Sequence, residues 1–375
     1  MNVVDHLQSL RGKKVFVTGH TGFKGSWLLL LLHRFGAQVT GYSLAPPTSP
    51  SLFTAAQLPE VLASHHEADI RDAVRLTAVV RAADPDVVIH LAAQPLVRLS
   101  HREPLDTFSI NVLGTASVLD AVRQRGKPCA LIAVTSDKCY EPDPDGKPHR
   151  ESDRLGGHDP YSASKGAAEL VAEAYRRSFF PPARLHDHGV QLATARGGNV
   201  IGGGDWAEDR IITDIVRHLS KGEPVPLRNP EAIRPWQHVL EPLMGYLTLA
   251  AVMLAEPSAG WCTGWNFGPA VDDDLTVQQL TELFLQAWGA GRCEAVCDPR
   301  APIETPVLRL SIAQSLAGLP WRPRFQSRDA ILRTANWFRA YRENPRVARS
   351  LCSADIAAYE AARLAGHVSA SGVNT

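Results

Sequence analysis

Cysteine is scarce in this chain, and its scarcity excludes one class of protein at once. Six cysteines in 375 residues are too few for a disulfide-stapled fold, and no CxxC pair with nearby histidines suggests a zinc site. Cys293 and Cys297 are the only close pair, and helical spacing explains them as well as anything else. Long apolar runs are missing too. No uninterrupted run, Trp27 to Leu32 included, comes near the roughly 20 residues that span a bilayer, which argues against a membrane partner. Neither sign of charge is in excess: lysine plus arginine and aspartate plus glutamate stand at 39 each. A nucleic-acid partner is demoted, because such proteins carry a basic surplus. Met1 to Leu10 lacks the basic start and apolar stretch of a secretory signal. The default expectation is a soluble cytoplasmic enzyme with no metal, long enough for one large or two modest domains.

What the chain does have is concentrated between Lys14 and Leu32. Val15, Phe16 and Val17 read as a buried strand, Gly19, Gly22 and Gly25 follow at three-residue intervals, and a helix then runs to Phe35 and is closed by Gly36. A strand that turns through glycines into a helix leaves backbone N–H groups aimed at whatever sits over the helix start. That is the context a dinucleotide pyrophosphate requires. The second strand, Gln38 to Tyr42, ends at Ser43. An acidic residue there would select NAD and a basic one NADP. Serine does neither, so this rule leaves the choice open.

Strand and helix alternate onward. Strands are expected at His65–Ala68, Val87–Leu91, Ala130–Thr135 and Val190–Ala195, with helices at 72–83, 104–125 and 161–180. The fold class is therefore α/β, a doubly wound parallel Rossmann sheet with a smaller, mixed C-terminal substrate domain. The expected division is a dinucleotide domain over 1–196 with a return of 235–262, a substrate domain over 197–234 and 263–345, and an extension over 346–375 whose last ten residues form a mobile tail.

Two segments bear chemistry: Thr135-Ser136-Asp137-Lys138-Cys139-Tyr140 at a strand end, and Tyr161-Ser162-Ala163-Ser164-Lys165 opening a helix. Tyr161 and Lys165 share one helix face. A tyrosine is a poor base at its usual pKa of about 10, and a neighbouring ammonium together with a cationic nicotinamide would favour the phenolate. Such a phenolate removes an alcohol proton while hydride leaves for the nicotinamide. Ser136 is placed to assist. With the glycine turn upstream, the pattern resembles the extended short-chain dehydrogenase/reductase family.

Within that family, the glycine turn, Ser136-Asp137-Lys138-Cys139-Tyr140, the stretch Gly197 to Trp206 and Arg234-Pro235-Trp236-Gln237-His238 resemble the sugar-nucleotide 4,6-dehydratases, from about Lys13 to Asn344. Those enzymes usually carry an aspartate and a glutamate where this chain has Asp137 and Lys138. The resemblance implies NAD as cofactor and CDP-glucose or a related nucleotide sugar as substrate. It implies catalysis by Ser136, Asp137, Lys138, Tyr161 and Lys165. Tyr161 would take the proton of the 4-hydroxyl while hydride passes from carbon 4 to NAD, Lys138 take the proton of carbon 5, Asp137 protonate the departing 6-hydroxyl, and hydride return to carbon 6. At its ordinary pKa of about 10.4 a lysine cannot be a base at neutral pH; desolvation and Lys165 would lower it, or else Lys138 stays charged and stabilises the enolate.

The implied cofactor site comprises Gly19, Thr21, Gly22, Phe23, Lys24, Gly25, Asp69, Ile70, Leu91, Ala92, Ala93 and Thr135, with Tyr161 and Lys165. Lys24 reads equally as a phosphate contact or a solvated loop residue. Gln94, Asn199, Trp206, Arg210 and Arg234 are the implied substrate contacts, the arginines because guanidinium forks match phosphate oxygens. For Asn111 a structural role is expected. Ala163, Ala167, Leu170 and Ala174 mark one face of the Tyr161 helix, which relatives pair across a homodimer; a tetramer is not legible. An epimerase, a dehydratase of another nucleotide, and a non-catalytic NAD(P)-binding protein are the competing readings.

Overall fold

The computed structural model describes residues 3–270, 273–296 and 307–370; Cys297 and the chain past Ala370 lie outside these. Seven parallel strands form the central sheet: β1 (Lys14–Thr18), β2 (Gln38–Ser43), β3 (Ser64–Glu67), β4 (Val87–His90), β5 (Cys129–Val134), β6 (Val190–Gly197) and β7 (Gly264–Phe267). Their spatial order is β3-β2-β1-β4-β5-β6-β7. The order reverses between β1 and β4, so the crossovers leave in opposite directions there and open a crevice at the carboxyl ends of the strands.

The helices that matter here are α1 (Phe23–Arg34), α2 (Ala73–Ala83), α3 (Gly114–Arg125), α4 (Pro160–Ser178), α5 (Ile211–Lys221), α6 (Leu240–Ala255), α7 (Val277–Trp288), α8 (Ser327–Glu343) and α9 (Ala348–Ala370). Successive residues of a strand point to opposite faces, so the core has two layers. Val15, Val17, Val87, Ile89 and Ile132 pack with α1 and α6, whereas Phe16, Val88, Leu131 and Leu192 pack with α2, α3 and α4. The leucine run of α1 is buried all round because α6 and α9 cover the side turned away from the sheet. Each such side chain contributes about 1.5–3 kcal/mol by leaving water.

Three expectations are corrected. The helix expected over 104–125 is not uniform: Pro104–Phe108 passes through a wider π turn at Ser109–Leu113 before α3 begins. Such turns insert one extra residue and re-aim side chains, often beside functional sites. β7 joins the edge of the central sheet by pairing with β6, so this part of 263–345 belongs to the sheet and not to the substrate unit. Four residues between turn signals, with tryptophan and asparagine among them, gave no alternation to read. The last ten residues are not all tail, since α9 continues to Ala370.

Beyond β6 lie three two-stranded ladders. Val200–Ile201 pairs with Gln237–His238, Ile233–Arg234 with Leu275–Thr276, and Val225–Leu227 with Cys293–Ala295. They hold α5 and α7 over the carboxyl edge of the sheet. Among the described residues no helix is long and apolar enough to cross a membrane.

Candidate functional site

A cleft of about 1570 Å³ runs along the carboxyl edge between the sheet and the α5 region. Single-ligand pockets are commonly 300–1,000 Å³, so there is room here for two ligands side by side. Every residue expected in the cofactor, catalytic and substrate sets lines it.

Its floor is the switch point. Gly19 has φ +73°, and a Cβ there would stand 2.7 Å from the Ala92 nitrogen; one at Gly25 would stand 2.2 Å from the Gly19 carbonyl oxygen. No side chain fits at either position, so the turn after β1, the start of α1 and the chain leaving β4 close on one another through bare backbone. Gly22 caps α1 without a side-chain acceptor, leaving the first-turn amides for an anion. Thr18 Oγ1 accepts from the amides of Leu91 and Ala92 at 3.2 Å and meets His90 Nδ1 at 2.7 Å. An uncapped helix start and a cradle that any Cβ would fill suit a dinucleotide pyrophosphate. At the end of β2, Thr21 Oγ1 donates to the Leu44 carbonyl and lies 2.8 Å from Ser43 Oγ. Asp69 is committed to Arg71 at 2.6 Å.

The candidate reacting groups come from two elements. Asp159 caps α4, accepting from the Ser162 amide at 2.9 Å, and Pro160 opens it. Tyr161 and Lys165 therefore fall one turn apart on the buried side. Ser136, Asp137 and Lys138 sit on the short turn after β5, where Ser136 Oγ accepts from the Lys138 amide at 3.2 Å and donates to Asp137 Oδ1 at 2.9 Å. Asp137 is 2% exposed, and its Oδ2 has no hydrogen-bond partner. A buried carboxylate oxygen left unmatched costs free energy unless a ligand completes it.

Burial holds the Tyr161 phenol up at about 12, with the Ser136 side chain and the Arg210 charge pulling it down. The ammonium expected to do this, Lys165, is not among the largest influences on the phenol. Burial lowers Lys165 to about 8, opposed by Cys139 and Glu169. Lys24 is not a solvated loop residue. Burial brings it to about 8, helped by Lys165 and opposed by Asp137, and its Nζ donates to Tyr246 Oη at 3.4 Å.

The substrate set divides. Arg210 flanks α5 with a buried Nε that lacks a hydrogen-bond partner, and Arg234 is buried on the same wall. Gln94 faces inward, but its amide is used up: Nε2 donates to Thr107 Oγ1 at 2.9 Å, and Oε1 accepts from the Leu96 amide at 2.5 Å. It shapes the loop after β4. Trp206 borders the cleft while packing edge-on against Trp337 and Phe338 at 5.8 Å. Asn111 has the structural role expected, donating to Ser164 Oγ at 2.8 Å and accepting from the Gln94 amide at 2.8 Å.

Four residues were not anticipated, Arg98 and Arg228 on the cleft lining and Tyr246 and Glu169 behind it. Arg98 pairs with Asp209 at 3.4 Å and Arg228 with Asp214 at 3.4 Å; neither carries a local signal in the sequence. Tyr246 was hidden in the apolar pattern of α6. Glu169 could have been found, since it continues the four-residue spacing of Tyr161 and Lys165.

A glycine-turned switch point, a Tyr–Lys helix and a strand-end serine define a nucleotide-binding enzyme of the dehydrogenase type, and the chain belongs to the NAD dependent epimerase/dehydratase family, whose model matches residues 15–257. It is 47% identical over 331 residues to CDP-glucose 4,6-dehydratase of Salmonella typhimurium, covering 88% of this chain and 92% of that one. Among solved structures, it resembles dTDP-glucose 4,6-dehydratase of Streptomyces venezuelae with NAD bound. That match has a TM-score of 0.72 at 26% identity, over 88% of this chain and 97% of that one. UDP-glucose 4-epimerase of Thermus thermophilus with NAD matches equally well, with a TM-score of 0.72, 26% identity, and 87% and 98% coverage. The fold alone thus does not separate dehydratase from epimerase.

Proposed function

We propose that this chain dehydrates CDP-glucose to CDP-4-keto-6-deoxyglucose with NAD as a resident cofactor. The observation that carries the reading is Asp137, a buried carboxyl with an unmatched oxygen on the cleft wall, next to Lys138 and Ser136. An epimerase has no evident use for a second acid and base beside the serine; a dehydratase needs both, and Asp137 and Lys138 occupy those places. The 47% identity to a CDP-glucose 4,6-dehydratase supports the cytidine nucleotide.

NAD bound above Gly19 supplies a reversible two-electron acceptor. Tyr161, hydrogen-bonded to Ser136, takes the proton of the 4-hydroxyl. Arg210 favours the phenolate, and a cationic nicotinamide would add to it. Oxidation at carbon 4 acidifies carbon 5. Lys138 receives that proton, Asp137 donates one to the departing 6-hydroxyl, and the 4-keto-6-deoxy sugar results once the hydride taken from carbon 4 is returned to carbon 6 and carbon 5 regains a proton. Arg210, Arg234 and the uncapped start of α5 hold the diphosphate, because guanidinium groups and free helix amides both favour phosphate oxygens. Asn199 and Trp206 complete that wall.

A second copy of the chain would cover the face of α4 where Leu170 is 61% exposed, next to Leu105 and Leu113 on the neighbouring helices. Contiguous apolar exposure of this kind favours association, and a homodimer is the reading it supports.

The test incubates the protein with NAD and a panel of nucleoside-diphosphate glucoses in deuterated water. Keto sugar should form from CDP-glucose with deuterium at carbon 5. Lys138→Met should stop both, and exchange with turnover surviving in that variant would remove Lys138 from the mechanism. Inversion at carbon 4 without water loss would make the protein an epimerase.

A further inference from the structure

Asp137, Lys138 and Cys139 make a 3₁₀ turn of three residues, an element too short to hold its own geometry. Yet the elimination assigned above needs two side chains of that turn aimed at adjacent carbons. The support comes from four buried side chains linked in sequence. Thr135 Oγ1 donates to Glu169 Oε1 at 2.5 Å. Arg196 donates to the same carboxylate twice, from Nε to Oε1 and from Nη2 to Oε2, each at 2.9 Å. Arg196 Nη1 donates to Tyr140 Oη at 2.7 Å, and Tyr140 Oη donates onward to Asn266 Oδ1 on β7 at 2.7 Å.

Thr135 and Tyr140 are the residues flanking Ser136 to Cys139. The chain of bonds therefore closes a ring around the turn, gripping it at both ends. Its anchor, Glu169, lies one helical turn beyond Lys165 on α4. The turn also rests directly on that helix, where a Cβ at Gly166 would stand 3.1 Å from the Cys139 carbonyl oxygen. Glu169 and Arg196 are 3% and 5% exposed. A buried ion pair is a weak stabiliser compared with an apolar pair of the same volume, so its value lies in the geometry it imposes.

We propose that this ring, Thr135–Glu169–Arg196–Tyr140, is the positioning device for the elimination half of the reaction, and that alcohol oxidation touches it only through Ser136, which the end of β5 already holds by the bond from the Thr135 amide to the Ala195 carbonyl at 2.9 Å. The inference rests on the dehydratase reading. The oxidation pair, Tyr161 and Lys165, is set by α4 itself: Asp159 caps that helix, and Ser100 Oγ accepts from the Tyr161 amide at 3.1 Å. The acid and the amine have only the short turn itself, where Ser136 Oγ meets the Lys138 amide and Asp137 Oδ1, its contact with α4, and the ring that holds its two ends. Glu169, Arg196 and Tyr140 act through Asp137 and Lys138 and are positioning residues.

The experiment compares Tyr140→Phe and Arg196→Lys with the unaltered chain, using NAD and CDP-glucose in deuterated water. Two rates are read separately: the rise of reduced-nicotinamide absorbance in a rapid mix, and the appearance of deuterium at carbon 5. A displacement near 1 Å can cost about a hundredfold in rate. Carbon-5 exchange should therefore slow by about tenfold or more in both variants, while the first reduction stays within about twofold and the reduced cofactor accumulates. Tyr359→Phe is the control for a purely structural loss, because its hydroxyl donates to buried Glu241 at 2.9 Å in another part of the molecule. It should lower the melting temperature and leave the ratio of the two rates unchanged. The proposal is overturned if Tyr140→Phe slows both rates in proportion or neither, or if Tyr359→Phe shifts the ratio as well. Should Arg196→Lys fail to fold, Tyr140→Phe decides alone. An unaltered chain that makes no keto sugar sinks the dehydratase reading, and this inference with it.

Discussion

The groups proposed to react stand on two very different supports. Tyr161 and Lys165 lie on a 19-residue helix with its own cap, whereas Asp137 and Lys138 lie on a three-residue turn. The helix fixes its side chains through backbone hydrogen bonds, which are local and determined by sequence spacing. The turn has to be fixed by distant side chains. The comparison teaches that chemistry shared across a family can sit on regular structure, while the chemistry that distinguishes a member sits where the fold leaves the backbone irregular.

The largest effect that could break this contrast is at Tyr161. Tyr161→Phe removes the proposed base and its bond with Ser136, so turnover should fall by roughly 10³–10⁴-fold in a keto-sugar assay. A loss under tenfold would mean that another group accepts the proton. Asp137→Asn comes next: water loss should slow by about 10²–10³-fold while reduced nicotinamide still forms. Equal loss of both steps would dissolve the division between helix and turn.

The smallest effect concerns pH and stability. Burial lowers His20, His90 and His238 from 6.5 to about 3. Each stays neutral in the fold and gains a proton on unfolding, so their stabilisation is complete above pH 6.5 and lost as pH falls toward 3. Glu241 works the opposite way. Burial raises it to about 7, so its contribution is present below 4.5 and lost as pH rises through 7. Three histidines with the larger shifts outweigh one carboxyl, and the melting temperature should fall on acidification below about pH 6. Glu241→Gln should steepen that fall. A melting curve flat from pH 5 to 7 would contradict both signs.

The cofactor half was legible because its signal is local. Gly19, Gly22 and Gly25 must be adjacent in the chain to make one turn, and a four-residue spacing puts Tyr161 and Lys165 on one face whatever else the fold does. The pairing of Lys24 with Tyr246 was not legible, since the two are joined only when α6 crosses beneath the glycine turn. The same holds for Arg98 and Arg228, whose aspartate partners come from the segment after β6. Gln94 was assigned to the substrate because its position is right; only the folded loop shows that its amide is already engaged.

By itself the sequence determined the alternation of strands and helices as far as β6, the dinucleotide turn, and the residue types available for acid and base chemistry, all of which follow from spacing along the chain. Tertiary structure decided what charge acts on Tyr161, where β7 belongs, and how the turn carrying Asp137 and Lys138 is held. Those depend on burial and on contacts between segments far apart in sequence, and neither desolvation nor a hydrogen bond to a distant residue leaves a mark on local spacing.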